Sequence, residues 1–247
     1  MKNFFVLLFL ILSACGSDKA LEQVAPVQEA PQSEGRPPRV VMYSGYGVWT
    51  ADVLDTKYHL DQMGIPVDVV SKLQGVDYEK YAAFIMPGGN AIRQGWGIGY
   101  SERERLKKAI LGGMNYLGHC AGAFLVGSWS NYYLKLIPQK LDYNSLYYAG
   151  DDLVMDVGTL WDGSKRDMLY YGGPDLSPVA GKVLARYSTG EVSMVQFTAG
   201  KGLVVLTGGH PESSQITINA LGLRDSDGYD DAVERPLIRA VVNGKGL

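Results

Sequence analysis

The stretch Tyr116-Leu117-Gly118-His119-Cys120-Ala121-Gly122-Ala123 joins an apolar run to the pattern Gly-x-Cys-x-Gly and then to small residues. This order is typical of a nucleophile elbow, a sharp turn from a strand into a helix that holds a nucleophile at the edge of a sheet. The glycines on either side of Cys120 allow the tight turn and close packing. A helix after the turn directs its backbone N–H groups at the sulfur, which favours the thiolate. We therefore interpret Cys120 as a candidate nucleophile.

A second motif follows 90 residues after Cys120. Residues 204–209 read as a buried strand, and it ends in His210-Pro211-Glu212. A histidine at a strand end can take the proton of Cys120, and Glu212 can orient that histidine. Cysteine, histidine and acid in this order predict a catalytic triad. The alternatives are a small buried thiol that packs well and a polar strand end that makes a structural hydrogen bond.

The N-terminus carries the pattern of an export signal. The apolar run of residues 4–12 is too short to span a bilayer and fits the core of a signal peptide. Leu12-Ser13-Ala14-Cys15-Gly16 resembles a bacterial lipobox, where the chain is cut before the cysteine and its thiol is diacylated. We expect a signal peptide over residues 1–14 and a lipid bilayer as partner through acylated Cys15. The alternative is an ordinary secretory signal with a chance cysteine.

This interpretation predicts a location in the bacterial cell envelope. Gly16 stands where some bacteria use Asp for retention in the inner membrane. We therefore expect the outer membrane, facing the periplasm, in a cell with two membranes. In a cell with one membrane we expect the outer face of the cytoplasmic membrane.

The composition of the chain indicates its domain organisation and limits the partners and cofactors it is expected to bind. Residues 15–38, rich in Gln, Glu, Ala, Pro and Ser, predict a lipidated cysteine and disordered tether, and leave residues 39–247 as one domain. Loss of residues 1–14 removes one lysine and changes the net charge from −3 to −4, with no basic stripe, so nucleic acid is excluded as a partner. With Cys15 lipidated, Cys120 is the only free thiol. Three histidines without a cysteine cluster predict neither a metal site nor a cofactor.

Strands alternate with helices in the first half of the domain. Strands are predicted at residues 40–43, 67–70 and 82–86, and helices at 50–63, capped by Thr50, and after a capping box at Ser101. Such alternation predicts a wound, parallel sheet. Tyr46, between two glycines after the first strand, is a candidate for the cleft because sites form at the carboxyl ends of strands.

The second half differs. A β-meander is predicted at residues 183–187, 192–197 and 203–206, and a last helix over 234–242 with Pro236 in its first turn. Residues 129–171 hold two of the four tryptophans and seven of the sixteen tyrosines. These aromatic residues indicate either packing or a platform for sugars or peptide side chains. His59, in the middle of a helix, is expected at the surface.

Four motifs together resemble the class I glutamine amidotransferase-like superfamily, and in particular the N-terminal amidotransferase-like domain of biotin–protein ligases. They are Met86-Pro87-Gly88-Gly89, the segment 112–123 around Cys120, Tyr171-Gly172-Gly173-Pro174 and Gly209-His210-Pro211-Glu212. The resemblance covers about residues 40–220. It implies a flavodoxin-like wound sheet with helices on both faces.

The resemblance also implies roles for residues. Cys120 would be the nucleophile, His210 the base and Glu212 the acid that orients it. The oxyanion hole would consist of the backbone N–H groups of Ala121 and of Gly89. Gly88, Tyr46, His119 and Phe124 are further candidates for the cleft, although His119 also fits a neighbour that points away.

Two departures from the superfamily bear on the substrate. Members that use glutamine commonly have a Gln four residues after the cysteine, where this chain has Phe124. No synthetase or ligase domain follows in the sequence to receive ammonia. Three hypotheses result: a thiol hydrolase or amidase acting on a small amide, peptide or glycan, a non-catalytic binding module of the envelope on the same fold, and a redox-sensing thiol.

Overall fold

A computed structural model describes residues 36–247. The predicted signal peptide, the lipidated Cys15 and nearly all of the tether lie outside the described residues. None of the helices in the described part of the chain has the length and hydrophobicity needed to cross a bilayer.

Within residues 36–247, nine strands form one sheet. In chain order they are β1 Val40–Tyr43, β2 Val67–Val70, β3 Ala83–Met86, β4 Asn115–His119, β5 Leu153–Leu160, β6 Lys165–Tyr171, β7 Lys182–Arg186, β8 Val192–Ala199 and β9 Gly202–Thr207. Their spatial order is β2-β1-β3-β4-β9-β8-β7-β5-β6. The pairs from β2 across to β9 are parallel, and the pairs from β9 to β6 are antiparallel. The carboxyl ends of β4 and β9 therefore lie side by side.

Seven helices accompany the sheet in the described residues. They are α1 Thr50–Gln62, α2 Ala91–Ile98, α3 Tyr100–Leu111, α4 Ala121–Phe124, α5 Ser145–Ala149, α6 Gln215–Ala220 and α7 Asp231–Asn243, with a 3-10 turn at Tyr78–Lys80.

Alternate residues of the strands pack on opposite faces of the sheet. Val41 and Tyr43 belong to a core with Leu106 of α3, and Met42 belongs to a second core with Leu60 of α1. The predicted class, a flavodoxin-like wound α/β sheet with helices on both faces, is confirmed. The predicted meander is confirmed as well, because β7, β8 and β9 are consecutive antiparallel neighbours.

Several local expectations need correction. Trp49 is the N-cap of α1 and Thr50 its first helical residue. Helix α3 begins at Tyr100 after Gly99, so Ser101 lies inside the first turn and caps nothing. The hairpin of β5 and β6 had no prediction at all, and it joins the sheet through β7.

Helix α7 is longer than expected. It begins at Asp231, so Pro236 lies in the second turn, where it removes one helical hydrogen bond. The buried side chains of Val233, Leu237 and Val241 pack against the sheet and offset that loss. Gly244, with φ of 64°, ends the helix as predicted.

Candidate active site

Cys120 occupies a strained turn between β4 and α4. Its φ of 44° and ψ of −101° lie outside the regions that a cysteine prefers. The flanking glycines make the turn possible by close approach. A Cβ on Gly122 would lie 2.2 Å from the carbonyl oxygen of Met86, and one on Gly118 would lie 2.8 Å from the backbone of Gly122. This is the geometry of a nucleophile elbow.

Cys120 follows β4 and lies beside the ends of two other strands, β9 and β6. The Cys120 N–H donates to the carbonyl of Thr207 at 2.8 Å, which fastens the elbow to the end of β9. The sulfur lies 3.4 Å from the carbonyl oxygen of Tyr171, at the end of β6. Helix α4 is a single turn of four residues. Its dipole is therefore small, so the helix that follows Cys120 contributes less to the surroundings of the thiol than the sequence suggested.

His210 is held in place by two carboxylates. Its Nδ1 lies 3.0 Å from Oε1 of Glu212 and 3.2 Å from Oδ2 of Asp52. Its backbone N–H donates to the carbonyl of Leu169 at 2.8 Å. Within residues 36–247 its Nε2 has no hydrogen-bond partner, and the ring borders the same cavity as Cys120. The sequence-predicted Cys120, His210 and Glu212 are thus brought together, with Nε2 left for a proton transfer.

Asp52 is a site residue that the sequence reasoning missed. It lies in the first turn of α1 and is fully buried. Its Oδ2 also accepts the Gly88 N–H at 2.8 Å, so one carboxylate contacts both the histidine and the Pro-Gly-Gly turn. Asp52, Thr56 and His59 form a polar stripe at helical spacing on the buried side of α1. A polar stripe on a helix ordinarily faces solvent, so no signal in the sequence indicates that this side of α1 is buried.

Charge in this cluster favours a protonated His210. Burial opposes the charged imidazole, but the negative charges of Asp52, Cys120 and Glu212 outweigh it and raise the pKa of His210 well above its usual value. Burial also raises the pKa of Glu212, and the positive charges of His119 and His210 offset this only in part. The pKa of His210 therefore favours an imidazolium beside Cys120 at the wall of the cavity.

His119 does not border the cleft, and its place among the predicted cleft residues is wrong. Its ring is fully buried on the other side of Glu212, and its Nε2 lies 3.3 Å from Oε2 of Glu234 and 4.0 Å from Oε2 of Glu212. Burial opposes its charge, but Glu212 and Glu234 outweigh this and raise the pKa of His119 to about 9. Side chains alternate along β4, so the residue before the nucleophile faces away from it.

His59 is buried as well, and the expectation of a surface residue is wrong. Its exposed fraction is 1 %, its Nε2 donates to the backbone carbonyl of Glu212 at 3.1 Å, and its Nδ1 lies 3.3 Å from Asp231. All three histidines of the chain therefore contact Glu212. Glu212 is the centre of a buried polar cluster beneath the thiol.

Two backbone amides border the cavity in positions suited to an oxyanion. Gly89 has φ of 136°, and its neighbours Gly88 and Asn90 are tied to the loop after β1 by hydrogen bonds of 3.0 and 2.8 Å. The N–H groups of Gly89 and Ala121 donate to no acceptor of the described residues. Both residues border a cavity together with Cys120. They are free to donate to a substrate carbonyl.

Two cavities meet at Cys120. The polar lobe, of about 430 Å³, is bordered by Tyr46, Trp49, Arg93, Tyr171 and His210. The aromatic lobe, of about 490 Å³, is bordered by Phe124, Trp129, Tyr133, Tyr143, Tyr147 and Tyr148. Gly89, Asn90 and Cys120 border both. Of the cleft candidates, Tyr46 thus lies in the polar lobe and Phe124 in the aromatic lobe.

Gly88 has a different place from the one expected. It borders neither the polar lobe nor the aromatic lobe. A Cβ there would lie 2.2 Å from Oδ2 of Asp52 and 2.6 Å from Cε1 of His210. The glycine therefore permits the close approach of the histidine and the carboxylate to the turn.

Two groups of side chains come close enough to hold a cation, with ligand atoms within 4.8 Å of one another. They are Asp52 with His210 and Glu212, and His119 with Glu212 and Glu234. The first group is close together because Nδ1 of His210 contacts the carboxylates of Asp52 and Glu212. The second is close together because His119 pairs with Glu234. That the chain needs no metal stays a prediction.

The fold of the chain resembles those of several solved structures. No family model matches the sequence, and no curated protein matches it. A solved structure described as a glutamine amidotransferase superposes with a TM-score of 0.58 at 20 % identity, covering 70 % of this chain and 90 % of that one. A structure of PurLQS from Thermotoga maritima gives 0.59 at 16 % identity and covers 83 % and 97 %. A structure described as a putative GMP synthase component from Thermoplasma acidophilum gives 0.53 at 12 % identity and covers 83 % and 94 %.

These likenesses concern the fold. The chain has a glutamine amidotransferase-like fold, and the motifs that suggested it from the sequence lie where that fold brings them together. A putative ThuA-like protein from Parabacteroides merdae also superposes, with a TM-score of 0.53 at 13 % identity and coverage of 85 % and 91 %. The fold therefore leaves the activity to be argued from the site.

Proposed function

We propose that this protein is a thiol amidase in which Cys120, His210 and Glu212 act on an amide or related acyl bond. The observation that carries the proposal is the strained elbow of Cys120 beside a histidine whose Nδ1 is held 3.0 Å from Glu212 and whose Nε2 has no partner in residues 36–247. The unengaged amides of Gly89 and Ala121 support it, since a buried thiol that merely packs requires none of these features.

In the proposed reaction the Cys120 thiolate adds to the carbonyl carbon of the amide. The carbonyl oxygen accepts hydrogen bonds from the N–H groups of Gly89 and Ala121 as its negative charge develops. The His210 imidazolium then protonates the leaving nitrogen, the C–N bond breaks, and an acyl thioester remains on sulfur. His210, now neutral, takes a proton from water, which hydrolyses the thioester and releases a carboxylic acid.

The proposal includes export and anchoring of the protein. The lipobox-like residues 12–16 support cleavage before Cys15, acylation of its thiol and a location in the bacterial envelope. A hydrolase that ends its reaction on water suits this setting better than a transferase.

A non-catalytic binding module is the second candidate. It is favoured by Phe124, which lies where glutamine-using relatives carry a Gln and instead packs edge-on against Tyr143, with ring centroids 5.2 Å apart. The aromatic lobe alone suits a binding protein. The arrangement of Cys120, His210 and Glu212 is not needed for binding alone. We therefore favour the amidase over the binding module.

The experiment that separates the candidates follows the chemistry of the thiol. The full-length protein is purified in detergent, and the rate of alkylation by iodoacetamide is measured against pH. We expect reaction well below pH 8, slower reaction at neutral pH in His210→Ala, and a smaller decrease in Glu212→Gln. Glu104→Gln, an exposed acid of α3, is the matched control for Glu212→Gln.

Turnover is tested with p-nitrophenyl acetate, which transfers an acyl group to an activated thiol. We expect release of p-nitrophenol that depends on Cys120 and continues beyond one equivalent. An alkylation rate that rises only near about pH 8.5, the value of a free cysteine, together with no release above the Cys120→Ala blank, would favour the binding module.

A further inference from the structure

The aromatic lobe presents more exposed aromatic surface than packing requires. Trp129 is 60 % exposed and Tyr148 is 66 % exposed, although both border the cavity beside the thiol. Tyr143 and Tyr147 are stacked with ring centroids 3.9 Å apart and 14° between their planes. An exposed apolar patch that adjoins a nucleophile is a candidate binding surface.

The aromatic lobe is bordered mainly by aromatic side chains and one carboxylate. Six of the side chains that border it are aromatic, and five of these six are Tyr or Trp, which combine a flat apolar face with a polar group. Asp142 also borders the lobe and accepts a hydrogen bond from the Tyr148 hydroxyl at 2.7 Å. Among residues 36–247, no Lys, Arg or His borders it. Flat faces rimmed by hydroxyls and a carboxylate suit a saccharide ring, whose C–H faces stack on aromatic rings while its hydroxyls donate to oxygen.

The polar lobe has the opposite charge. Arg93 of α2 and His210 border it, and no Asp or Glu in the described part of the chain does. Arg93 makes no ion pair among residues 36–247, since each pairing found there uses other cations. An unpaired guanidinium at the wall of a cavity suits a carboxylate, which it can bind through two parallel hydrogen bonds.

We propose that the substrate is an amide that links a saccharide ring to a carboxylate-bearing group. The ring lies in the aromatic lobe, the carboxylate lies against Arg93, and the scissile carbonyl lies between them at Cys120 and the N–H groups of Gly89 and Ala121. Asn90 borders both lobes and is placed to contact the amide. This inference rests on the proposed amidase for its chemistry, but the fit of the two lobes can be tested without turnover.

The reaction is a hydrolysis that needs only water. The amide C–N bond breaks, the nitrogen receives its proton from His210, and the acyl thioester on Cys120 is cleaved by water to a carboxylic acid. One product carries the saccharide ring and the other carries the original carboxylate. Neither an oxidant nor a second substrate takes part.

Binding is measured by titration calorimetry on the full-length Cys120→Ala protein in detergent. The probe is N-acetylmuramyl-L-alanyl-D-isoglutamine, which joins a sugar to a carboxylate through an amide. Its two halves are represented by N-acetylglucosamine and by the dipeptide L-alanyl-D-isoglutamine. We expect the joined probe to bind at least about tenfold more tightly than either half, because one molecule then occupies both lobes.

Two further substitutions, each made in Cys120→Ala, assign the halves to the lobes. Tyr147→Ala should weaken binding of the joined probe and of the sugar about fivefold to tenfold and leave the dipeptide unchanged. Arg93→Gln should weaken the joined probe and the dipeptide and leave the sugar unchanged. Tyr58→Ala, which removes a half-exposed tyrosine of α1 that borders neither lobe, is the control for Tyr147→Ala.

Three results overturn the proposal: a dipeptide that binds as tightly as the joined probe, equal losses in Tyr147→Ala and Tyr58→Ala, or no binding of any probe at millimolar concentration. Failure of the amidase itself looks different. In that case the wild type shows no activated thiol while the binding pattern across the two lobes persists, and the saccharide conjugate is a ligand of the binding module.

Discussion

Asp52 lies 3.2 Å from Nδ1 of His210, nearly as close as the 3.0 Å between the same nitrogen and Glu212. The same Asp52 oxygen accepts the N–H of Gly88, the residue before the candidate oxyanion donor Gly89. One carboxylate from α1 thus contacts both His210 and the turn that holds the candidate oxyanion donor Gly89. Because Asp52 acts through these neighbours, it is a positioning residue.

Asp52→Asn should lower the pKa of His210, since it removes the negative charge of one of the two carboxylates at Nδ1. The amide oxygen can still accept the Gly88 N–H, so the fold should be preserved. The ring of His210 is followed by NMR titration, and iodoacetamide alkylation of Cys120 should be slower at neutral pH than in the wild type. Asp61→Asn, which alters an exposed acid of the same helix, is the control. Equal titrations in Asp52→Asn and wild type would show that Asp52 is only structural.

His119 gives the fold a dependence on pH. Its pKa is raised to about 9 in the folded protein, against about 6.5 in an unfolded chain. The stabilisation is therefore complete below about pH 6.5 and is lost as pH rises through about 9. We expect the free energy of unfolding in urea to decrease by on the order of 2–3 kcal/mol over that interval.

Other groups also titrate in this range. The contribution of His119 to the free energy of unfolding is therefore isolated by measuring wild type and His119→Gln at each pH. The variant should be less stable than wild type at pH 6, because Glu212 and Glu234 lose a buried cation. The difference between the two proteins should shrink toward pH 9.5. A difference that stays constant from pH 6 to 9.5 contradicts the assignment.

The sequence predicted the parts of the site that depend on local pattern. The elbow at Cys120 and the His210-Pro211-Glu212 turn each carry their signal within a few residues, and parallel pairing of β4 with β9 brings them together. Asp52 and Glu234 could not be found in this way, because their burial depends on how α1 and α7 pack on the sheet. A charged residue on a helix is expected in solvent unless the packing partner is known.

The same distinction applies to the fold. Apolar strands such as β1 and β3 are buried on both faces and were predicted closely. The strand β5 carries Asp156 and Gly158 and is only partly buried, so its composition gave a weak signal. The helix α2 holds two glycines and directly precedes α3, which obscured its pattern.

Cys15→Ser should release the protein from the membrane fraction or leave it held by an uncleaved signal. The thiol of Cys15 is the group that a lipobox presents for acylation, and serine cannot form the thioether. Fractionation after labelling with radioactive palmitate measures the outcome, with Cys120→Ser as the matched control that keeps the lipobox intact. Equal label in wild type and Cys15→Ser contradicts lipidation at this residue.

Free glutamine should not be hydrolysed at a useful rate. A glutaminase must hold the α-amino and α-carboxylate groups of glutamine while it presents the amide to sulfur. Phe124 offers no hydrogen bond and instead packs against Tyr143 in the aromatic lobe. Each polar group of the substrate left unpaired costs about 1–3 kcal/mol, or about one to two decades in affinity. Ammonia release from millimolar glutamine is measured with Cys120→Ala as the blank and Phe124→Gln as the comparison. Saturable, Cys120-dependent turnover above about 0.1 per second, slow for an enzyme, would show that the aromatic lobe accepts glutamine after all.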